Sequence, residues 1–265
     1  MIKKNKSLLW EFAKAPNEPP NFLFASIHLL DDELIEIKSK VLDYINKCDS
    51  FAAEIDFDEE FNHELGKYLL LTEEAKRNEE IIEFLNNLQE KILKYYQIDI
   101  NPYLEFKPFL LLNIIGILVL NYSPDKSLDR DLFIYAKLNK KSIFGLEDFK
   151  EHFSLLQHIS DLDQFKLLKA SCFEIKNLKR ISQKSIQKYK EQDIHYLYMI
   201  GKRMMGKYRR IMLYERNLAM VNSLEFYCKN SSVFATCGAA HLEGKYGVLA
   251  LLKRRGYRCK PVQFI

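Results

Sequence analysis

Apolar and polar positions along the chain follow two rhythms. Four runs stay apolar or alternate over a strand's length between turn residues: NFLFASIHL (21–29), SFAAEIDF (50–57), SIFGLED (142–148) and SSVFATCG (231–238). Each predicts a β-strand. A fifth, RCKPVQF (258–264), carries Pro261; a proline cannot donate to a ladder, so this run predicts an edge strand. The stretches between them have helical spacing. Leu34, Ile37, Val41 and Ile45 share a face of DDELIEIKSKVLDYINKC (31–48), behind an acidic first turn. Ile81, Ile82, Leu85, Leu88 and Ile92 do the same in the segment 72–96. The run FLLLNIIGILVL (109–120) is too short to span a bilayer, which takes about twenty apolar residues, and predicts a buried helix.

The resulting order is strand, helix, strand, a long helical middle, strand, more helix, then strand, helix, strand. That pattern predicts an α/β fold, a central mostly parallel sheet with helices and a large helical insertion. No linker or repeat divides the chain, so a single domain over 1–265 is expected, with the insertion at roughly 60–140 and 150–228. Gly238, Gly244, Gly247 and Gly256 crowd the C-terminal region and predict a glycine-rich βαβ-like unit there.

Composition adds exclusions. A net charge of +4 is the remainder of 40 basic and 36 acidic side chains, too balanced to call for nucleic acid as a partner. The five cysteines form no CxxC pair and are odd in number, which fits a reducing compartment. The opening MIKKNKSLLWEFAK has a basic start, but Glu11 and Lys14 break its apolar stretch. Neither a signal peptide nor a membrane span is therefore expected, and a cytoplasmic location is.

Familiar chemical signatures fail on spacing. GAAHLEGKY places five residues between Gly238 and Gly244, where a P-loop has four, and Tyr246 stands at the magnesium-binding hydroxyl position. There is no GxSxG elbow, and HELGK (63–67) lacks the second histidine of a zinc-protease helix. The basic run GKRMMGKYRR (201–210) has no stacking aromatics arranged with it and reads as the solvated side of a helix.

What remains are polar residues at the ends of apolar strands, where ligands collect in parallel sheets. His28 ends 21–29, Glu54 and Asp56 share a face of 50–57, Glu147 follows SIFGL, and His241 follows SSVFATC. Arg216 shares a helical face with Tyr208, Met212, Met220 and Ser223. A guanidinium there requires a carboxylate or an anionic ligand; Glu54, Asp129 and Glu147 are the available carboxylates.

The ordered segments SLLWEF, NFLFASIHLL, FAAEIDF, LDRDLFIYAKLNKKSIFGLED, ERNLAM and VFATCGAAHLEGKYGVLALLKRRGYRCKPV resemble the TraB/GumN family, relatives of the PrgY pheromone-shutdown proteins and the Tiki proteases. A GxxH motif stands at Gly238 to His241, and ASIH matches the family's first GxxH motif with Ala25 in place of glycine. The resemblance implies an erythromycin esterase-like fold, a site built around the two motif histidines and a glutamate, and, for the Tiki branch, metal-dependent peptide cleavage. The expectation is a hydrolase of a peptide or ester substrate in which His28, Glu54 and His241 converge. These three would either hold a divalent metal (manganese, cobalt or zinc) or act directly on water, with His28 as general base and His241 as proton shuttle. Glu147 is expected to orient an imidazole, and Arg216 to stabilise developing negative charge. The alternative is a non-catalytic protein that binds and sequesters a peptide or small molecule in the same cleft.

Overall fold

The strand-length apolar runs become one six-stranded mixed sheet in the computed structural model, which describes residues 6–16, 18–29, 34–58, 63–172 and 175–263, with only the backbone at 63–65. The strands are β1 (Leu9–Ala13), β2 (Asn21–Ser26), β3 (Ser50–Ala53), β4 (Ser142–Gly145), β5 (Val233–Gly238) and β6 (Arg258–Val262). They lie in the order β4-β3-β5-β2-β1-β6. The chain is α/β, with twelve α-helices among the described residues.

The neighbours β4, β3, β5 and β2 pair in parallel, whereas β1 is antiparallel to both β2 and β6. β6, with its Pro261, is an edge strand as its composition predicts. β1 was not anticipated from the pattern. The expected strands also run shorter: β2 stops at Ser26, β3 at Ala53 and β4 at Gly145. The polar residues that follow lie just beyond the regular strands. The alternation expected to carry Glu54 and Asp56 within a strand therefore does not extend to them.

By contact density the chain comprises two compact units. The first, Met1–Glu59, Asp125–Phe149 and Ser185–Ile265, contains the whole sheet. One sheet face presents Phe22, Phe24, Phe51 and Phe234, with Phe51 and Phe234 stacked at 5.9 Å. Tyr44 of the helix Ile35–Asn46 meets Phe22 edge-on at 5.1 Å, and Phe133 of the helix Leu128–Leu138 meets Phe51 at 6.5 Å. Burying each such ring contributes roughly 1.5–3 kcal/mol. The helix face expected at Ile37, Val41 and Ile45 is buried, while the acidic turn at 31–33 lies outside the described residues. The opposite sheet face carries small residues, Ala52 and Ala235, between the larger Leu23 and Phe144. There Phe144 stacks on Tyr227 of the helix Arg216–Tyr227 at 4.2 Å.

The segment expected as one helix around Arg216 is interrupted. The helix Ile194–Met205 ends at Gly206, whose φ of 51° favours glycine, and a 3-10 turn Gly206–Tyr208 follows. Residues Arg210–Glu215 then form a π-helix before the α-helix Arg216–Tyr227 begins. The basic run 201–210 is thus divided between elements and is not the side of one helix.

The second unit, Glu60–Pro124 and Lys150–Lys184, is helical. The segment 72–96 splits into Glu73–Lys76 and Glu79–Tyr96, because Asn78 caps the second helix by accepting from the Ile81 N–H. Ile81, Leu85, Leu88 and Ile92 are buried as expected, but Ile82 is 41% exposed. They pack with Leu111, Ile115 and Phe165. Leu111 and Ile115 belong to the helix Pro108–Leu118, which realises the apolar run 109–120. Among the described residues no helix is long and apolar enough to cross a membrane.

Candidate active site

Since β4, β3, β5 and β2 point the same way, their carboxyl ends open on one rim of the sheet. Each delivers a polar side chain just beyond its last paired residue. His28 follows β2, Glu54 follows β3, Glu147 follows β4, and His241 closes a 3-10 turn, Ala239–His241, directly after β5. The pairing of β3 with β4 continues past their ends through Leu146 N–H to Ala53 O at 2.8 Å and Glu147 N–H to Glu54 O at 3.0 Å. The two glutamates are therefore held side by side by backbone.

Arg216 joins them. Its guanidinium donates to Glu54 Oε1 and, through Nε at 2.9 Å and Nη2 at 2.6 Å, to both oxygens of Glu147. The fork geometry suits a planar carboxylate. Nη1 also reaches Met212 O at 3.4 Å, within the π-helical turn that leads into Arg216. All three side chains are nearly closed to solvent. Burial alone would discharge the guanidinium, but the two carboxylates outweigh it and hold Arg216 charged, far above any working pH.

The two imidazoles are fixed from opposite layers of the fold. His28 Nδ1 lies 3.1 Å from Asp129 Oδ2, at the start of the helix Leu128–Leu138. His241 Nδ1 lies 2.5 Å from Asn217 Oδ1, at the start of the helix Arg216–Tyr227. The Asn217 amide is itself oriented, because its Nδ2 donates to Tyr246 O at 2.7 Å. Its oxygen is thus the acceptor, and His241 carries its proton on Nδ1. At His28 the Asp129 carboxylate, helped by Glu54 and opposed by burial and by Arg216, raises the imidazole from 6.5 to about 9. Protein surrounds the ring on its Asp129 side, yet 63% of the side chain remains accessible, so solvent screens part of that attraction.

Gly238 is the meeting point. A methyl group in place of its α-hydrogen would lie 3.5 Å from His241 Cδ2, 3.6 Å from Glu54 Oε2 and 3.9 Å from His28 Nε2. The Gly238 N–H also donates to Glu54 Oε2 at 3.0 Å. The structure therefore brings His28, Glu54 and His241 around one point, with Arg216 and Glu147 behind Glu54. Glu147 engages Arg216, and the groups that orient the imidazoles are Asp129 and Asn217. Asp129, a candidate partner for Arg216 in the sequence, meets His28 instead, while Asn217 is marked only by its place beside Arg216.

The pairing of β2 with β5 also locates Ala25. Its partner is Cys237, and Ser26 is the partner of Gly238. Alternation then turns the Ala25 methyl to the sheet face opposite the Gly238 α-carbon side that the three groups surround. The Ala25 carbonyl accepts from Tyr189 Oη at 2.7 Å. Alanine at this position puts no carbon into the site.

The donor set is nitrogen and oxygen without sulfur, which suits manganese, cobalt or zinc. An imidazole that gives Nδ1–H to an oxygen acceptor and turns Nε2 to the site is the usual arrangement around a bound metal. Two carboxylates, Glu54 and Glu147, share the single Arg216 guanidinium, which leaves an excess of negative charge that favours a cation. In donor type, therefore, His28, Glu54 and His241 suit a divalent metal.

The sequence model of the TraB/PrgY/gumN family matches residues 8–261. No curated protein and no solved structure matches the chain.

Proposed function

The chain belongs to the TraB/PrgY/gumN family, and from that starting point we propose that it is a hydrolase acting on a peptide or ester carbonyl at the rim formed by β2, β3, β4 and β5. The observation that carries this reading is the convergence of His28 Nε2, Glu54 Oε2 and the His241 ring within 3.9 Å of one point beside Gly238. His28, Glu54 and His241 would hold a divalent metal, which when bound lowers the pKa of water and polarises a carbonyl.

The chain's own residues do the rest. Asp129 and Asn217 hold the two imidazoles at Nδ1, with His28 Nε2 and the Cδ2 edge of His241 toward Gly238. The Gly238 N–H and Arg216 hold the Glu54 carboxylate in one orientation. Arg216, neutralised by Glu147, remains the nearest fixed positive charge and offsets negative charge that develops on the substrate oxygen. Without metal, His28 is protonated at neutral pH because of Asp129, and so serves as the acid toward the leaving group. His241, with Nδ1–H committed to Asn217, is then the base toward water.

The test has two arms. Protein purified without chelators is assayed for bound metal, and a peptide library incubated with it is read by mass spectrometry. The reading requires new fragments that disappear in His241→Ala and Glu54→Gln. Peptides retained intact would instead make the chain a binding protein. Metal near one equivalent that is lost in His28→Ala assigns the metal version, and its absence from all samples, with cleavage preserved, assigns the direct one.

A further inference from the structure

A second cavity in the sheet-containing unit lies on the other side of the segment that carries His241. It encloses about 330 Å³, the small end of the range for ligand pockets. Its floor is apolar: Trp10 from β1, Leu242, Leu249 and the half-buried Cys259 from β6. Its rim is charged, and most of that charge is already paired. Lys6 meets Asp193 at 3.3 Å, and His195 Nδ1 meets Glu243 Oε1 at 2.9 Å. Asp193 additionally caps the helix Ile194–Met205 by accepting from the Tyr196 N–H.

Lys253 is different. Among the described residues its ammonium has no carboxylate partner; it stands 5.9 Å from the centre of the Trp10 ring. Its charge also reaches Cys259, where it opposes the upward push that burial gives the thiol, which still stands at about 11. The lysines and carboxylates of the lining balance in number, but Lys253 is its one lysine set against an aromatic ring and not against a carboxylate, at the edge of an apolar floor.

We propose that the cavity binds a small amphiphile with an apolar body and one anionic head, a medium-chain or aryl carboxylate in chemical class, with the head at Lys253 and the body over Trp10. The site is separate from the one around Gly238 and does not depend on the hydrolase reading. Residues 242–244 wall the cavity and directly follow His241, so an occupant bears on the backbone that positions that imidazole.

Trp10 is the only tryptophan in the chain, so its fluorescence reports occupancy of this cavity and of no other. The full-length protein is titrated with sodium decanoate below its micelle concentration and, separately, with decanol. The expected result is a saturable change in Trp10 emission with decanoate, and binding of decanol at least tenfold weaker. Lys253 is exposed, so Lys253→Met folds normally and is expected to weaken decanoate at least tenfold while leaving decanol unchanged. Ala250→Phe, which fills the cavity, removes the response to both. A change that does not saturate, equal affinity for the two probes, or unaltered decanoate binding by Lys253→Met overturns the proposal.

Discussion

The Gly238 N–H donates to Glu54 Oε2 at 3.0 Å, tying the carboxyl end of β5 to that of β3. One glycine thus holds the site's carboxylate with its nitrogen and leaves the space around its α-carbon to two imidazoles. Its φ of −54° is open to any residue, so glycine is required here for room and not for backbone freedom.

Gly238→Ala follows directly. The added methyl would meet its neighbours at 3.5–3.9 Å, ordinary contact distances, so the fold should be kept. It would, however, occupy the point of convergence. Thermal unfolding close to that of the parent protein, with hydrolysis lowered by about 10²-fold or more, is the expected pair of results. Full activity in this variant would remove Gly238 from the site.

Arg216→Met should be among the most destabilising single changes in the sheet-containing unit. It leaves the Glu54 and Glu147 carboxylates facing each other without their shared cation. Breaking a buried ion pair costs about 3–5 kcal/mol. Urea denaturation measures this, and adding Glu147→Gln should restore part of the loss, since one repelling charge is then gone.

Asp129→Asn should lower the His28 titration midpoint from about 9 toward the ordinary 6.5 in metal-stripped protein, read from imidazole proton shifts by NMR. The sign for stability follows. A raised folded-state pKa means that the pair stabilises the fold fully below 6.5, and that this contribution disappears as pH rises through about 9. The variant should therefore lose less stability than the parent between these limits.

The helical unit carries its own acid sensitivity. Lys107 donates to Asp161, which also accepts from the Thr72 N–H at 2.9 Å and hydroxyl at 2.8 Å. Burial alone would raise the Asp161 pKa, but these donors outweigh it and hold the carboxyl below its usual value. A depressed pKa contributes stability above the unfolded-state value of about 3.9, lost as pH falls through the folded one. Asp161→Asn should lower the stability of the helical unit by about 3 kcal/mol at pH 7 and flatten its decline below pH ~4. Chemical denaturation across that range checks both.

Much of this arrangement is legible in the residues, and the reason differs from element to element. β2, β3 and β5 announce themselves because each buries consecutive side chains, whereas the partly buried β4 and β6 are marked by strand-forming composition and, in β6, by Pro261 at the edge. β1 is harder to see, since its five residues include Glu11 and only its two neighbours, β2 and β6, make LWEFA a strand. The π-helix at Arg210–Glu215 is invisible to a 3.6-residue count, because the inserted residue changes which side chains align without changing their types. His28, Glu54 and His241 could be picked out as strand-end residues. Their partners could not, because Asp129 reaches His28 across 101 positions of chain, and nothing local to either residue encodes that meeting.

β5 lies between β3 and β2 in space yet comes about 180 residues after β3 in the chain. Until Val233–Gly238 emerges from the ribosome, the strands that deliver His28 and Glu54 have no common neighbour: β2 has only β1 and β3 only β4 to pair with, and the edge of each that will meet β5 is open. At synthesis rates of about 5–20 residues per second that interval lasts roughly 10–40 s. During it the nascent polypeptide exposes apolar strand borders open to self-association, and the rim on which His28, Glu54 and His241 meet can close only once β5 has been made.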